Sequence, residues 1–165
     1  MPELIINGKI ENDDWQYVAK ADDPSLQVIP EGKIVIHLAT WQAQSKQISS
    51  SRQESLGIWL DSDDEPDTID NPNQFTLIAV NFPKFVDGRG FSTARLLRER
   101  YLYNGELRAM GDVLLDQLFY MKRCGFNSFA LRPDRSASRA LSGLTVFSEC
   151  YQGATDQPMP LFRRR

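Results

Sequence analysis

Apolar positions along the chain fall into short runs separated by polar stretches, and the runs alternate between two periods. Leu4, Ile5 and Ile6 precede Asn7-Gly8, the strongest short turn signal, with Trp15, Tyr17 and Val18 as the return strand, so residues 3–19 read as a hairpin. After a polar loop over 20–32, the runs KIVIHL (33–38), LGIWL (56–60), FTLIAV (75–80), GELRAM (105–110), FNSFAL (126–131) and LTVFSECY (144–151) read as strands. Between them lie helical stretches at 41–48, at 92–103 with Ser92 as N-cap, at 113–124 with Asp112 as cap and Gly125 as stop, and at 134–142. Short apolar strands alternating with helices predict an α/β fold. The expected architecture is a mainly parallel sheet with flanking helices, built from βα units and preceded by an N-terminal antiparallel hairpin. There are too few βα units for a complete eight-stranded barrel, but a partial barrel-like curl fits the pattern.

At 165 residues the chain has the size of one domain. It divides into a hairpin and loop (1–30), an α/β core (31–152) and a tail (153–165) whose Pro158, Pro160 and terminal arginines read as mobile. A net charge of -3 gives no bulk attraction to nucleic acid or to anionic lipid, so neither is an expected partner. Cys124 and Cys150 form neither a disulfide framework nor a C-x-x-C pair, which points to reduced thiols and a cytoplasmic home. Residues 1–8 lack the features of a signal peptide, and no apolar run approaches the roughly 20 residues that span a bilayer.

In open parallel sheets, ligands bind outside the carboxyl ends of the strands. That rule gathers Lys84, Asp87, Arg89, Asp112, Arg132 and Arg135 at one edge. The densest feature there is Asp87-Gly88-Arg89-Gly90, running into a helix at Ser92 with Arg95 one turn on. Glycines, a helix N-terminus and arginines make an oxyanion or phosphate cradle. The same residues also make an ordinary βα loop in which Asp87 pairs with Arg89 or another arginine to hold the turn. The candidate ligand-binding residues are Lys84, Gly88, Arg89, Gly90, Ser92, Arg95 and Arg132. Asp87 and Asp112 are the candidate catalytic carboxylates. Asp112 and Asp116, at i and i+4, read as a cap and an exposed side chain. Arg98 and Arg100 read as a solvated face, His37 as structural, and Trp15, Trp41 and Trp59 as packing. A single histidine excludes a multi-histidine metal site. No G-x-G-x-x-G, P-loop, G-x-S-x-G or cysteine cluster is present, so no cofactor and no metal is expected.

The stretch Phe82-Pro83-Lys84-Phe85-Val86-Asp87-Gly88-Arg89-Gly90-Phe91-Ser92, followed by Ala94-Arg95-Leu96-Leu97-Arg98, carries a resemblance. Gly105-Glu106-Leu107-Arg108-Ala109, Gly111-Asp112-Val113-Leu114, Asp116-Gln117-Leu118 and Arg123-Cys124-Gly125-Phe126 extend it. Together these resemble a bacterial family of unknown function, domain of unknown function 934, over about residues 30–152. Its members often carry a label as oxidoreductases of sulfite reduction, which rests on association with sulfite reductase and sulfate-activation proteins. The resemblance implies a place beside assimilatory sulfite reduction in a bacterial cytoplasm. The leading expectation is therefore an accessory protein that binds a sulfite reductase component, a small anion, or both. The alternatives are an enzyme in which Asp87 or Asp112 is the base while Arg89 and Arg132 clamp a sulfur oxyanion or phosphorylated substrate, and a structural or oligomeric module.

Overall fold

Three β-branched and leucine-rich runs form the middle of the structure: β4 (Ile34–His37), β5 (Leu56–Leu60) and β6 (Leu77–Phe82), almost every residue of which is buried. The computed structural model describes residues 3–48 and 50–164. Around these strands lie β1 (Glu3–Ile6), β2 (Lys9–Asn12), β3 (Gln16–Tyr17), β7 (Glu106–Gly111) and β8 (Ser128–Ala130). They form one sheet in the order β2-β1-β8-β7-β6-β5-β4-β3. The helices are α1 (Leu38–Gln44), α2 (Arg89–Glu99), α3 (Leu118–Arg123) and α4 (Ala137–Gly143).

The sheet is mixed, which corrects the expectation of a mainly parallel one. The run from β3 to β8 pairs in parallel, whereas β1 is antiparallel to β8 and β2 to β1. The N-terminal hairpin is present, but its return strand is Lys9–Asn12 and not the stretch around Trp15. Asn7 and Gly8 both take positive φ, 49° and 77°, as a tight hairpin of this hand demands. The Trp15–Val18 stretch instead supplies β3, which lies against β4 at the other edge of the sheet.

This displacement curls the sheet. β2 and β3 occupy opposite edges, yet only Asp13, Asp14 and Trp15 separate them, so the two edges lie within about 14 Å at that point. Each strand alternates between the two faces of the curl. Ile34, Ile36, Ile58, Leu60, Ile78, Val80, Leu107 and Phe129 pack outward in one cluster with Ala94 and Leu97 of α2, Leu118 and Met121 of α3, and Ala140 of α4. Withdrawing each such aliphatic chain from water stabilises by about 1.5–3 kcal/mol. Val35, Trp59, Leu77 and Ala79 point inward with Trp15, Tyr17 and Met110.

Arg108 crosses that interior from β7 and is 0 % exposed. Its Nη1 donates to both oxygens of Asp13, at 2.9 and 3.0 Å, and to Tyr17 Oη at 2.8 Å. Its Nε donates to Glu106 Oε1 at 2.8 Å and to Ser128 Oγ at 3.2 Å. Nη2 lies 2.7 Å from the same Glu106 oxygen, as an ion pair without hydrogen-bond geometry. One arginine thus ties β7 and β8 to the Asp13 link and to β3, holding the two edges of the curl together.

Several boundaries differ from expectation. α2 begins at Arg89 with Gly88 as its N-cap residue, three residues before Ser92. The helix expected over 113–124 is shorter. Gly111 at φ 93° redirects the chain, a 3-10 turn covers Leu115–Gln117, and α3 starts only at Leu118. Asp112 is therefore not its cap, and Asp112 and Asp116 do not share a helix. No strand forms over 144–151. The edge of β8 it would need is already paired with β1. Those residues instead run over the surface, with Phe147 against Phe119 at 5.1 Å. The segment after them folds back on α3: Arg123 pairs with Asp156 at 2.7 Å and also donates to Gln152 O, while Arg164 pairs with Glu149 at 3.0 Å. Arg165 lies outside the described residues.

Candidate functional site

β4 to β7 point their carboxyl ends toward one rim, and the loops that leave them carry the charges singled out in the sequence. The rim holds two ion-paired groups. In the first, Asp87 accepts from Arg89 three times: from its backbone N–H at 3.2 Å, from Nε at 3.0 Å and from Nη2 at 2.7 Å. Arg89 also donates to Ser62 Oγ at 2.9 Å and pairs with Asp63 from the acidic loop after β5. In the second, Asp112 Oδ2 accepts from Phe85 N–H at 3.0 Å and Asp112 Oδ1 from Arg132 Nη1 at 2.9 Å. Arg132 reaches Asp134 through Nε at 3.0 Å, and Arg135 approaches that carboxylate at 3.5 Å.

The electrostatics follow from this pairing. The Arg89 guanidinium holds the Asp87 carboxyl well below the usual carboxylate range, against the opposing effect of desolvation. An aspartate so stabilised as its anion is a poor proton acceptor at neutral pH. Arg132 is raised by its hydrogen bond to Asp112 and by Asp134. A shallow pocket of about 320 Å3 lies beside Arg89, with Ser92 on its wall, but Asp63, Asp64 and Glu65 line it too. Three carboxylates against one guanidinium make it a poor anion cradle. Arg95 sits apart on α2, paired with Glu99 at 3.0 Å. Lys84 is exposed, and its carbonyl closes a turn with Asp87 N–H at 3.0 Å.

Gly90 has a steric reason to be glycine. A Cβ there would lie 2.7 Å from Cζ of Phe82 and 3.1 Å from Val80, so glycine lets the start of α2 press onto β6. The close approach is to the core and not to a ligand. Both ring nitrogens of His37 have a protein group close by. Ala39 N–H donates to Nδ1 at 3.1 Å as the cap of α1, and Nε2 faces Asp64 Oδ2 at 3.0 Å. With Nδ1 accepting, a neutral ring carries its proton on Nε2, toward that carboxylate. Burial of Asp64 opposes ionisation, but bonding to His37 and to Asp61 N–H outweighs it and holds the carboxyl below its ordinary range. His37 thereby fastens the acidic loop to the start of α1, the structural role its place in an apolar strand suggested.

Two arginines carry more than the sequence reading gave them. Arg108 was visible as a charge two residues after Glu106 in the strand run GELRAM, a signal for a buried ion pair. Arg98, read as solvated, is half-buried instead. Its Nε donates to Gly125 O at 2.9 Å, Nη1 to Tyr103 O at 2.6 Å and Gly105 O at 2.9 Å, and Nη2 to Asn127 Oδ1 at 3.2 Å. It stands at the end of the molecule opposite the rim, where strands begin and helices end. There a cavity of about 630 Å3 opens between β8, the ends of α3 and α4, and the Asn7-Gly8 turn.

Fold and site together define an α/β protein with a curled mixed sheet, an ion-paired rim at the strand ends and a separate cavity at the strand starts. Within that class the chain belongs to the family described as bacterial protein of unknown function (DUF934), whose model matches residues 57–162, more than half of the chain. No curated protein and no solved structure matches it. Among the described residues, no helix is long and apolar enough to cross a membrane.

Proposed function

We propose that this protein is an accessory protein of assimilatory sulfite reduction that docks a reductase component through its strand-end rim. The pathway rests on the family resemblance; the mode of action rests on the rim. One observation carries it: Asp87 pairs with Arg89 and Asp112 with Arg132 beside Phe85 and Val86, which are 48 % and 84 % exposed. An apolar tip set among oriented ion pairs suits a protein surface, where such pairs fix register more than they add affinity. A free anion would have to displace Asp87 from Arg89 or Asp112 from Arg132. The enzyme reading has less support: of its two candidate bases, Asp87 is held as its anion by Arg89 and Asp112 is tied to Arg132 and the Phe85 N–H.

Binding of the purified protein to each sulfite reductase component tests the proposal, with Val86→Asp and Arg132→Glu as variants. Saturable binding lost in both variants is the expected result. Absence of binding to every component overturns it. A parallel thermal-shift series with sulfite, sulfate, phosphate, adenine nucleotides, flavins and NADPH examines the enzyme reading. A stabilisation lost in Arg89→Ala would move the assignment to a small-molecule site at the rim.

A further inference from the structure

The cavity at the strand starts has the composition of a ligand site. Its floor and walls are apolar: Phe126 and Phe129 are 2 % exposed, with Leu141 and Leu144 beside them. Its volume lies in the range of sites that enclose small organic molecules, roughly 300–1,000 Å3. Two cations stand on its wall. Arg98 meets carbonyl dipoles and an amide, and among the described residues it has no carboxylate partner; burial pulls its pKa down. Four of its five N–H groups are committed, which leaves one on Nη2 free to donate. Lys122 is exposed at the end of α3 and has no ion pair among the described residues. Asp156, a carboxylate on the same wall, is already paired with Arg123.

From this we infer that the cavity binds a small organic acid, with an aromatic or branched apolar body against Phe126 and Phe129 and a carboxylate or sulfonate head toward Arg98 and Lys122. The charge is complementary, and half-burial of Arg98 strengthens its pull on an anion relative to a fully solvated guanidinium. The site is independent of the rim, which lies at the other end of the strands, so either proposal stands or falls without the other.

Two fluorescent probes of nearly one shape separate the contributions: anilinonaphthalene sulfonate, and N-phenylnaphthylamine, which lacks the sulfonate. In titrations of the intact protein the sulfonate binds saturably at one site, roughly tenfold more tightly than its neutral counterpart. Lys122→Glu removes that preference, and its exposed, unpaired side chain makes the change harmless to folding. Leu141→Trp fills the cavity and abolishes binding of both probes, while near-ultraviolet circular dichroism confirms a native fold. Three results would overturn the assignment: no saturable enhancement with the native protein, equal affinity for the two probes, or sulfonate binding untouched by Leu141→Trp in a folded variant.

Discussion

At the rim, Arg89 and Arg132 lie in water and face carboxylates; at the strand starts, Arg98 lies half-buried and faces carbonyl oxygens. The residue type is the same, and the physics differs. An exposed arginine paired with aspartate gains little, because water and salt already screen it and two side chains lose freedom. A half-buried arginine bonded to three backbone carbonyls stitches chain segments together, and its charge is left over for a ligand. Arg108, wholly buried and paired with Asp13 and Glu106, is the limiting case. Density of charge in the sequence pointed to the rim, whereas the cavity and the stabilising arginines sit elsewhere.

Removing the most deeply buried arginine tests this contrast hardest. Arg108→Met leaves Asp13 and Glu106 without their cation in the interior and is expected to cost about 3–5 kcal/mol in urea unfolding. Adding Asp13→Asn should recover part of that loss in a double-mutant cycle; a cost below about 1 kcal/mol for the single variant would show that the curl closes without this tie.

Tyr17 donates the next largest effect. Burial pushes its phenol up to about 12 from 10.0, partly offset by Arg108. The folded state therefore keeps a proton that the unfolded chain releases. The stability this contributes is complete below about pH 10 and is lost as pH rises toward about 12. Tyr17 should contribute about 2–3 kcal/mol to the fall in unfolding free energy across that window, beside the contribution of the buried Tyr103, and the slope should be visibly smaller in Tyr17→Phe. A slope unchanged by that substitution refutes the attribution.

Arg98→Ala comes third, at about 2 kcal/mol after allowance for partial exposure, since Gly125 O, Tyr103 O and Gly105 O lose a common donor. Arg98→Lys should recover little, because an ammonium cannot reach all three in the same geometry. At the rim, Arg89→Ala and Arg132→Ala should lower the urea midpoint at neutral pH only slightly, because the pairs are exposed. For Arg89→Ala that small difference should vanish in acid. Asp87 ionises below its ordinary 3.8 when paired, so the native protein holds this contribution to lower pH and loses it as pH falls through the depressed value.

The strands around β5 and β6 were legible because unbroken apolar runs such as LGIWL and FTLIAV have few other places to go. β2 was not. Lys9–Asn12 is wholly exposed and carries one aliphatic residue, Ile10, so no periodicity marks it. LTVFSECY has strand composition, but the edge of β8 it would follow is taken by β1. The charged loops that follow the strands could be located along the chain, yet which charge neutralises which depends on contacts between distant loops. The Arg108–Asp13 pair spans 95 residues, beyond any spacing rule. The cavity was equally hidden, since its walls come from five separated segments with no common motif.

The antiparallel seat of β1 has a consequence for how the chain is made. Asn7 N–H bonds to Asn127 O at 2.8 Å, and Leu4, Ile5 and Ile6 pair with β8, so the hairpin docks on residues 120 positions downstream. During synthesis β1 must wait for β8. Until then Leu4 and Ile5 stay unsheltered on that side while the β4–β7 layer assembles. Until β8 is made, β1 keeps one side without its lasting cover, and a ribosome stalled before β8 would release a chain with an open sheet edge.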